Sequence, residues 1–169
     1  AAQLPVPIGE LPATVALRDV QPASADRDTW VLPVGLDDTT LATTTLELAA
    51  GDHVLLAGPA RSGRTTALLS FGCAFAYAAL GQVAVLAPRA NALSTAFPDH
   101  ATTTTRLFEQ LARHLSDQRS QDQSGRILVL IDDSDLLDDE RLQRLVMTDD
   151  PALRIIVAGR SDRLRRSYT

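Results

Sequence analysis

The feature that most limits the folds open to this chain is a set of short, continuous apolar runs. They are HVLLAG at 53–58, QVAVLA at 82–87, ILVLI at 127–131 and RIIVAG at 154–159. None alternates apolar with polar residues, so none reads as a strand with one wet face; each suits a strand covered on both sides. Helical segments separate them. TTALLSFGCAFAYAALG follows the first run and ends at Gly81, a residue suited to the position just past a helix. RLFEQLARHL carries Leu107, Leu111 and Leu115 on one face, behind a threonine run in which Thr104 or Thr105 can cap. The acidic segment LLDDERLQRLVM follows the third run. Strands alternating with helices in this way predict an α/β fold with a mostly parallel sheet covered by helices on both faces.

Residues 1–33 differ in character. They are proline-rich with short apolar patches and predict an extended lead-in with one or two edge strands, because proline is poorly tolerated in central strands. Trp30, the only tryptophan, reads as a packing anchor. Residues 34–169 then form the α/β core. The last strand is followed by what reads as the first turn of a helix in SDRLRRSYT, so the core is expected to be a piece of a larger fold.

Composition narrows the setting. The single cysteine, Cys73, leaves no internal disulfide and no cysteine-based zinc site, and suits a small buried side chain on a helix. No apolar run reaches the roughly 18 residues that a membrane-spanning helix requires. The opening AAQLPVPIGELP lacks the charged and apolar regions of a signal peptide. These features predict a cytoplasmic domain that makes no membrane contact of its own, although a larger parent protein could be membrane-anchored. A net charge of −5 gives no overall basic footprint for nucleic acid.

Ligands on open parallel sheets bind beyond the carboxyl ends of the strands, and two motifs fall there. The first is GPARSGRTT, 58–66, which meets the phosphate-loop pattern G-x-x-x-x-G-K-[ST] at every fixed position except one: Arg64 stands where the lysine belongs. Gly58 and Gly63 let the segment Pro59, Ala60, Arg61, Ser62 curl so that backbone N–H groups face phosphate oxygens. A helix opening at Arg64, Thr65 and Thr66 adds its positive dipole end. Thr65 offers a hydroxyl to a magnesium ion. All 16 basic residues of the chain are arginine, so composition alone could place arginine here. Arginine is a longer planar fork than lysine: it can pair with phosphate, but fits less well between two of them.

The second motif is ILVLIDDSDLL. An apolar strand ending in Asp132 and then Asp133 has the form of a Walker B element, in which the first acid holds magnesium and the next residue, usually glutamate, orients the attacking water. Asp133 is one methylene shorter, which sets its carboxylate back by about 1.5 Å, one C–C bond. Two other readings remain: Asp132 and Asp133 could cap the following helix, and Asp135 could stabilise that helix's N-terminus.

The stretch LPVGLDDTTLATTTLELAAGDHVLLAGPARSGRTTALL resembles the FtsK/SpoIIIE family of ring-forming P-loop motors. Gly35-Leu36-Asp37 and DHVLLAG occupy the places of that family's lead-in, with Asp52 in place of the usual proline before His53. The later ILVLIDDSDLL and RIIVAGRSD are similar to its second and third motor motifs. More narrowly, GPARSGRTTAL, the Asp-Asp pair and AGRSDRLRRSY resemble the degenerate ATPase modules of type VII secretion (EccC-type) and of actinobacterial FtsK/SpoIIIE-like proteins. The resemblance implies a RecA-like P-loop NTPase core that binds ATP or ADP with Mg2+. It further implies partner ATPase modules in the same or neighbouring subunits, and DNA or a secreted protein as the substrate of the whole motor. Among the arginines after the last strand, Arg160 is the candidate to face a neighbouring subunit's nucleotide; Arg163, Arg165 and Arg166 more often form a solvated helix face. Departures at Arg64 and Asp133 put hydrolysis in doubt and favour a regulatory or assembly role. A working ATPase completed by neighbouring subunits and a nucleotide-free interaction scaffold are the alternatives. His53 is expected to pack or hydrogen-bond rather than catalyse, and His100 and His114 have no nameable partner.

Overall fold

The computed structural model describes residues 10–99, 101–102, 106–109, 111, 113, 125–137, 140–148 and 150–161. In chain order these form β1 (Ser24–Ala25), β2 (Thr29–Leu36), β3 (Thr43–Ala49), β4 (Val54–Gly58), α1 (Arg64–Tyr77) and β5 (Gln82–Leu86). Then come α2 (Ala92–Ala96), β6 (Ala101–Thr102), β7 (Ile127–Ile131), α3 (Glu140–Val146) and β8 (Leu153–Arg160). Short 3-10 turns occupy Leu17–Asp19 and Ser134–Leu136.

The four apolar runs become β4, β5, β7 and β8. Among the described residues they lie in one five-stranded sheet, order β4-β8-β7-β5-β6, with every adjacent pair parallel. Parallel neighbours cannot be joined by a hairpin, so each return passes over a face of the sheet. Side chains alternate between faces along each strand, so β7 supplies two cores at once. On one face Leu128 and Leu130 pack with Leu68, Phe71 and Phe75 of α1. On the other, Ile127, Val129 and Ile131 pack with Leu107, Leu111 and Leu145. All of β7 is buried, which is why its sequence shows no alternation. Gly72 lets α1 sit close: a Cβ there would stand 2.7 Å from Leu130 Cδ1 and 3.0 Å from the Phe97 ring.

One helix end differs from expectation. α1 stops at Tyr77, and Ala79, with φ 52°, takes the left-handed turn that Gly81 was expected to supply. Gly81 is instead required by a close approach, since a Cβ would overlap the Arg126 carbonyl, which accepts the Gln82 N–H at 2.8 Å. His100, His114, Arg163, Arg165 and Arg166, and the cap at Thr104 or Thr105, lie outside the described residues.

A separate antiparallel sheet, order β1-β2-β3, takes in part of the lead-in and continues beyond residue 33 through the end of β2 and all of β3. β2 runs through residue 33 without a break, and its ladder with β3 slips between Pro33 and Gly35. β1 pairs only with Trp30 and Val31, so Pro33 has no bond to lose on that side. Trp30, Leu32 and Leu48 pack into the same cluster as α1. The Trp30 ring is fully buried and stacks on Phe75 with centroids 5.1 Å apart. On it lies the Arg154 guanidinium, 4.9 Å from the ring centroid. Arg154, buried within β8, also donates to the carbonyls of Leu153 at 2.9 Å and Pro151 at 3.1 Å. Burial of an arginine is tolerable because these acceptors and the ring face replace water.

Removing the Trp30 ring should therefore uncouple two layers at once. Trp30→Ala is expected to cost about 3–5 kcal/mol, as for other large aromatic truncations. Urea denaturation checks this, and a midpoint close to that of the parent protein would contradict it.

Candidate phosphate-binding site

β4 ends at Gly58 and α1 begins at Arg64, so the loop between them must reverse within a few residues. Two left-handed residues accomplish this: Arg61 at φ 63° and Gly63 at φ 87°. For arginine that conformation costs roughly 1–2 kcal/mol, strain of the kind that persists where a loop is held for a purpose. A Cβ at Gly58 would meet Ser62 Oγ at 2.5 Å, so a side chain there would require Ser62 to turn away. Successive N–H groups in such a curl form a concavity for anions. Gly63 caps α1 without a side-chain acceptor, so the first N–H groups of the helix face the loop uncapped. An open pocket of about 410 Å3 flanks the loop, lined by Leu55, Ala57, Pro59, Ser62, Gly63 and Arg64 among others. Thr65 and Asp132 do not line it, so it adjoins the loop on the β4 side.

Asp132 follows the end of β7 and is only 1% exposed. The Thr65 hydroxyl donates to its Oδ2 at 2.7 Å across 67 residues of sequence. The loop and the acidic strand end thus meet, although β4 and β7 are not neighbours in the sheet. Two further donors hold the same carboxylate: Asn91 Nδ2 reaches Oδ2 at 2.9 Å, and the Asp133 N–H reaches Oδ1 at 2.9 Å. Asn91 is not among the candidates read from the sequence, in which RANALSTAFPDH, 89–100, reads as a loop. The signal available was Asn91-x-x-Ser94 before an apolar residue, the outline of a capping box.

The two altered positions engage one another. Arg64 donates through one terminal nitrogen to the Gly58 carbonyl at 2.9 Å, and its other terminal nitrogen stands 3.8 Å from Asp133 Oδ1. These side chains are 12% and 25% exposed, so water screens the pair only in part. Asp133 sits in the left-handed region, φ 46° and ψ 42°, which turns the chain sharply after the strand. Neither acid of the pair caps a helix through its side chain in the way the alternative reading required: Asp133 precedes a 3-10 turn and makes no capping bond. Asp135 does not open α3 either; its Oδ1 accepts the Arg160 N–H at 3.3 Å and ties the 3-10 turn to the end of β8. Arg160 lies in register with Gly58, at the loop end of the sheet.

The residues fit a magnesium-bound phosphate chain. Among the described residues no group of three or more His, Cys, Asp or Glu could hold a metal alone. Magnesium does not demand one, since it commonly takes one or two protein oxygens and completes its shell with phosphates and water. Thr65 and Asp132 could supply such a pair.

A strand, curled loop and helix set beside an acid-ended strand two places away, in a parallel sheet, make an α/β arrangement that solved ATPase domains share. Solved structures that this chain resembles include cytoplasmic and ATPase domains of EssC and EccC. The cytoplasmic domain of EssC superposes with a TM-score of 0.69 at 20% identity, covering 95% of this chain and 36% of that one. Thermomonospora curvata EccC (ATPases 2 and 3), solved in complex with a signal sequence peptide, gives 0.58 at 15% identity, covering 81% and 30%. EssC (ATPases 2 and 3) from Geobacillus thermodenitrificans gives 0.51 at 17%, covering 95% and 37%. At these identities the likeness establishes the fold, and the chain spans about a third of the length of these neighbours. No family model matches the sequence, and no curated protein matches it significantly. No helix of the described residues is long and apolar enough to cross a membrane.

His53, just before β4, points to stability rather than chemistry. Its Nε2 lies 3.3 Å from the Thr148 carbonyl, and burial lowers its pKa below the usual 6.5. A lowered folded-state pKa means the unfolded chain takes up a proton first as pH falls. The stabilising contribution is therefore complete above 6.5 and declines as pH drops from there through the folded value. His53→Gln should flatten that part of the acid limb, measured as thermal midpoint between pH 7 and 5; an unchanged slope would contradict it.

Proposed function

We propose that this chain is a nucleotide-binding module of an FtsK/SpoIIIE-type ATPase that keeps the phosphate cradle and has a weakened hydrolytic apparatus. The observation that carries this reading is the mutual engagement of the two altered positions: Arg64 on the Gly58 carbonyl and beside Asp133, with Thr65 and Asp132 joined next to them. N–H groups of 60–64 and the start of α1 bind the phosphates of ATP or ADP, Pro59 having none to give. Thr65 and Asp132 hold Mg2+, which when bound offsets the charge of the phosphate chain. Arg64 moves from the Gly58 carbonyl to a phosphate oxygen.

Asp133 stands where a glutamate would orient water, is set back by about 1.5 Å and shares its charge with Arg64. A displacement of that size costs on the order of a hundredfold in rate. Binding without efficient turnover suits a regulatory or assembly role inside a larger motor, alongside other ATPase modules. A polypeptide is the favoured substrate of that motor rather than DNA. The net charge of −5 opposes a nucleic-acid track, and one structural neighbour was solved with a signal sequence peptide. Arg160, at the end of β8, is the group proposed to approach an adjacent module's nucleotide.

Calorimetry with Mg-ATP at millimolar concentration tests the reading. Saturable binding is expected, weakened about tenfold in Thr65→Ala, equivalent to 1.4 kcal/mol. Turnover should be near background and rise at least tenfold in the Arg64→Lys, Asp133→Glu double variant. Absence of both binding heat and thermal shift would remove the reading and leave an interaction scaffold in its place.

A further inference from the structure

The Asp132 carboxylate has about four lone-pair positions on its two oxygens. Among the described residues three are taken by protein donors: Thr65 Oγ1 and Asn91 Nδ2 on Oδ2, and the Asp133 N–H on Oδ1. Both donors from distant parts of the chain fall on Oδ2, so the one remaining position is on Oδ1. Asn91 is what makes this assignment rigid. Its Oδ1 accepts the Ser94 N–H at 3.1 Å, and its own N–H donates to Ser94 Oγ at 2.9 Å, a reciprocal capping box on α2. The amide therefore has only one workable orientation. Turned over, it would set a nitrogen donor against the Ser94 N–H and a carbonyl against a carboxylate, two repulsions in place of two bonds. α2 in turn is anchored by fully buried Leu93 and by Phe97, whose ring lies against Gly72 of α1.

We propose that Asn91 is a positioning residue of the magnesium site: its amide, fixed by the α2 cap, locks the Asp132 carboxylate so that Oδ1 alone is left to take a water of the ion's shell. The proposal rests on the nucleotide-binding reading above. Asn91 does not touch phosphate or ion; it acts through Asp132, as outer partners of metal ligands do.

The test compares ATP affinity in Mg2+ with ATP affinity in EDTA, using the full chain and calorimetry, with thermal midpoints recorded for each variant. Asn91→Ser keeps a capping oxygen and is too short to reach Asp132; Asn91→Thr does the same and is the second variant should the first not stay folded. Either should lose about tenfold in affinity with Mg2+, the lower end for outer-shell substitutions, while affinity in EDTA stays within about twofold. Ser94→Ala is the mirror control, since it loosens the cap and leaves the Asn91 donor in place: its midpoint should fall and its Mg2+-to-EDTA ratio should hold. A ratio unchanged in Asn91→Ser, or shifted as much in Ser94→Ala, would overturn the positioning role and leave nucleotide binding standing. Parent protein that binds ATP equally with and without Mg2+ would overturn it too. No binding under either condition would remove the nucleotide reading itself, and this inference with it.

Discussion

The site depends on a single junction. β8 is inserted between β4 and β7, so the strand that carries the loop and the strand that carries the acids never pair. Strands two places apart lie about 9–10 Å from each other, too far for their ends to interact directly. The gap is closed from above by the first turn of α1, whose Thr65 reaches Asp132. That bond fixes where α1 starts, and so fixes the curl of the loop that feeds it. The left-handed residues at 61 and 63 and the bare Cα at Gly58 follow from this. The Arg64 contact with Asp133 closes the same gap a second time, with an ion pair beside a hydrogen bond.

Much of the fold was legible because burial on two faces leaves a simple mark. A strand such as β7, fully enclosed, can only be apolar throughout, and ILVLI is. Strand order was not legible in the same way. The position of β8 between β4 and β7 is set by crossovers and packing spread along the chain, and no local pattern encodes it. Arg154 shows the limit from the other side: in RIIVAG it looks like the polar start of a strand, yet it is fully buried over Trp30. What allows this is the geometry of a ring more than a hundred residues earlier in the chain.

At the site the convergence of the loop motif and the acid pair was legible, because both follow the carboxyl ends of strands in one parallel sheet. Asn91 was not, because an asparagine that caps a short helix and one that also braces a carboxylate have the same sequence context. Gly81 misled for a related reason. Glycine is needed both for left-handed turns and where backbones crowd, and only the Arg126 carbonyl beside it distinguishes the two. Asp135 was misplaced because the chain makes a 3-10 turn before α3, which moves the acid away from that helix and onto the end of β8.

The stack of Phe75, Trp30 and Arg154 has an optical consequence. The chain holds one tryptophan, and its indole is dry, contacted by an aromatic ring from the loop-bearing helix and by a cation from β8. Its emission wavelength and its quenching by solutes therefore report on the seam between the antiparallel sheet and the α/β core, without a label. A shift of α1 along its axis would change the ring overlap with Phe75 and register as intensity, so events at the 58–66 loop can be followed from the far end of the same helix.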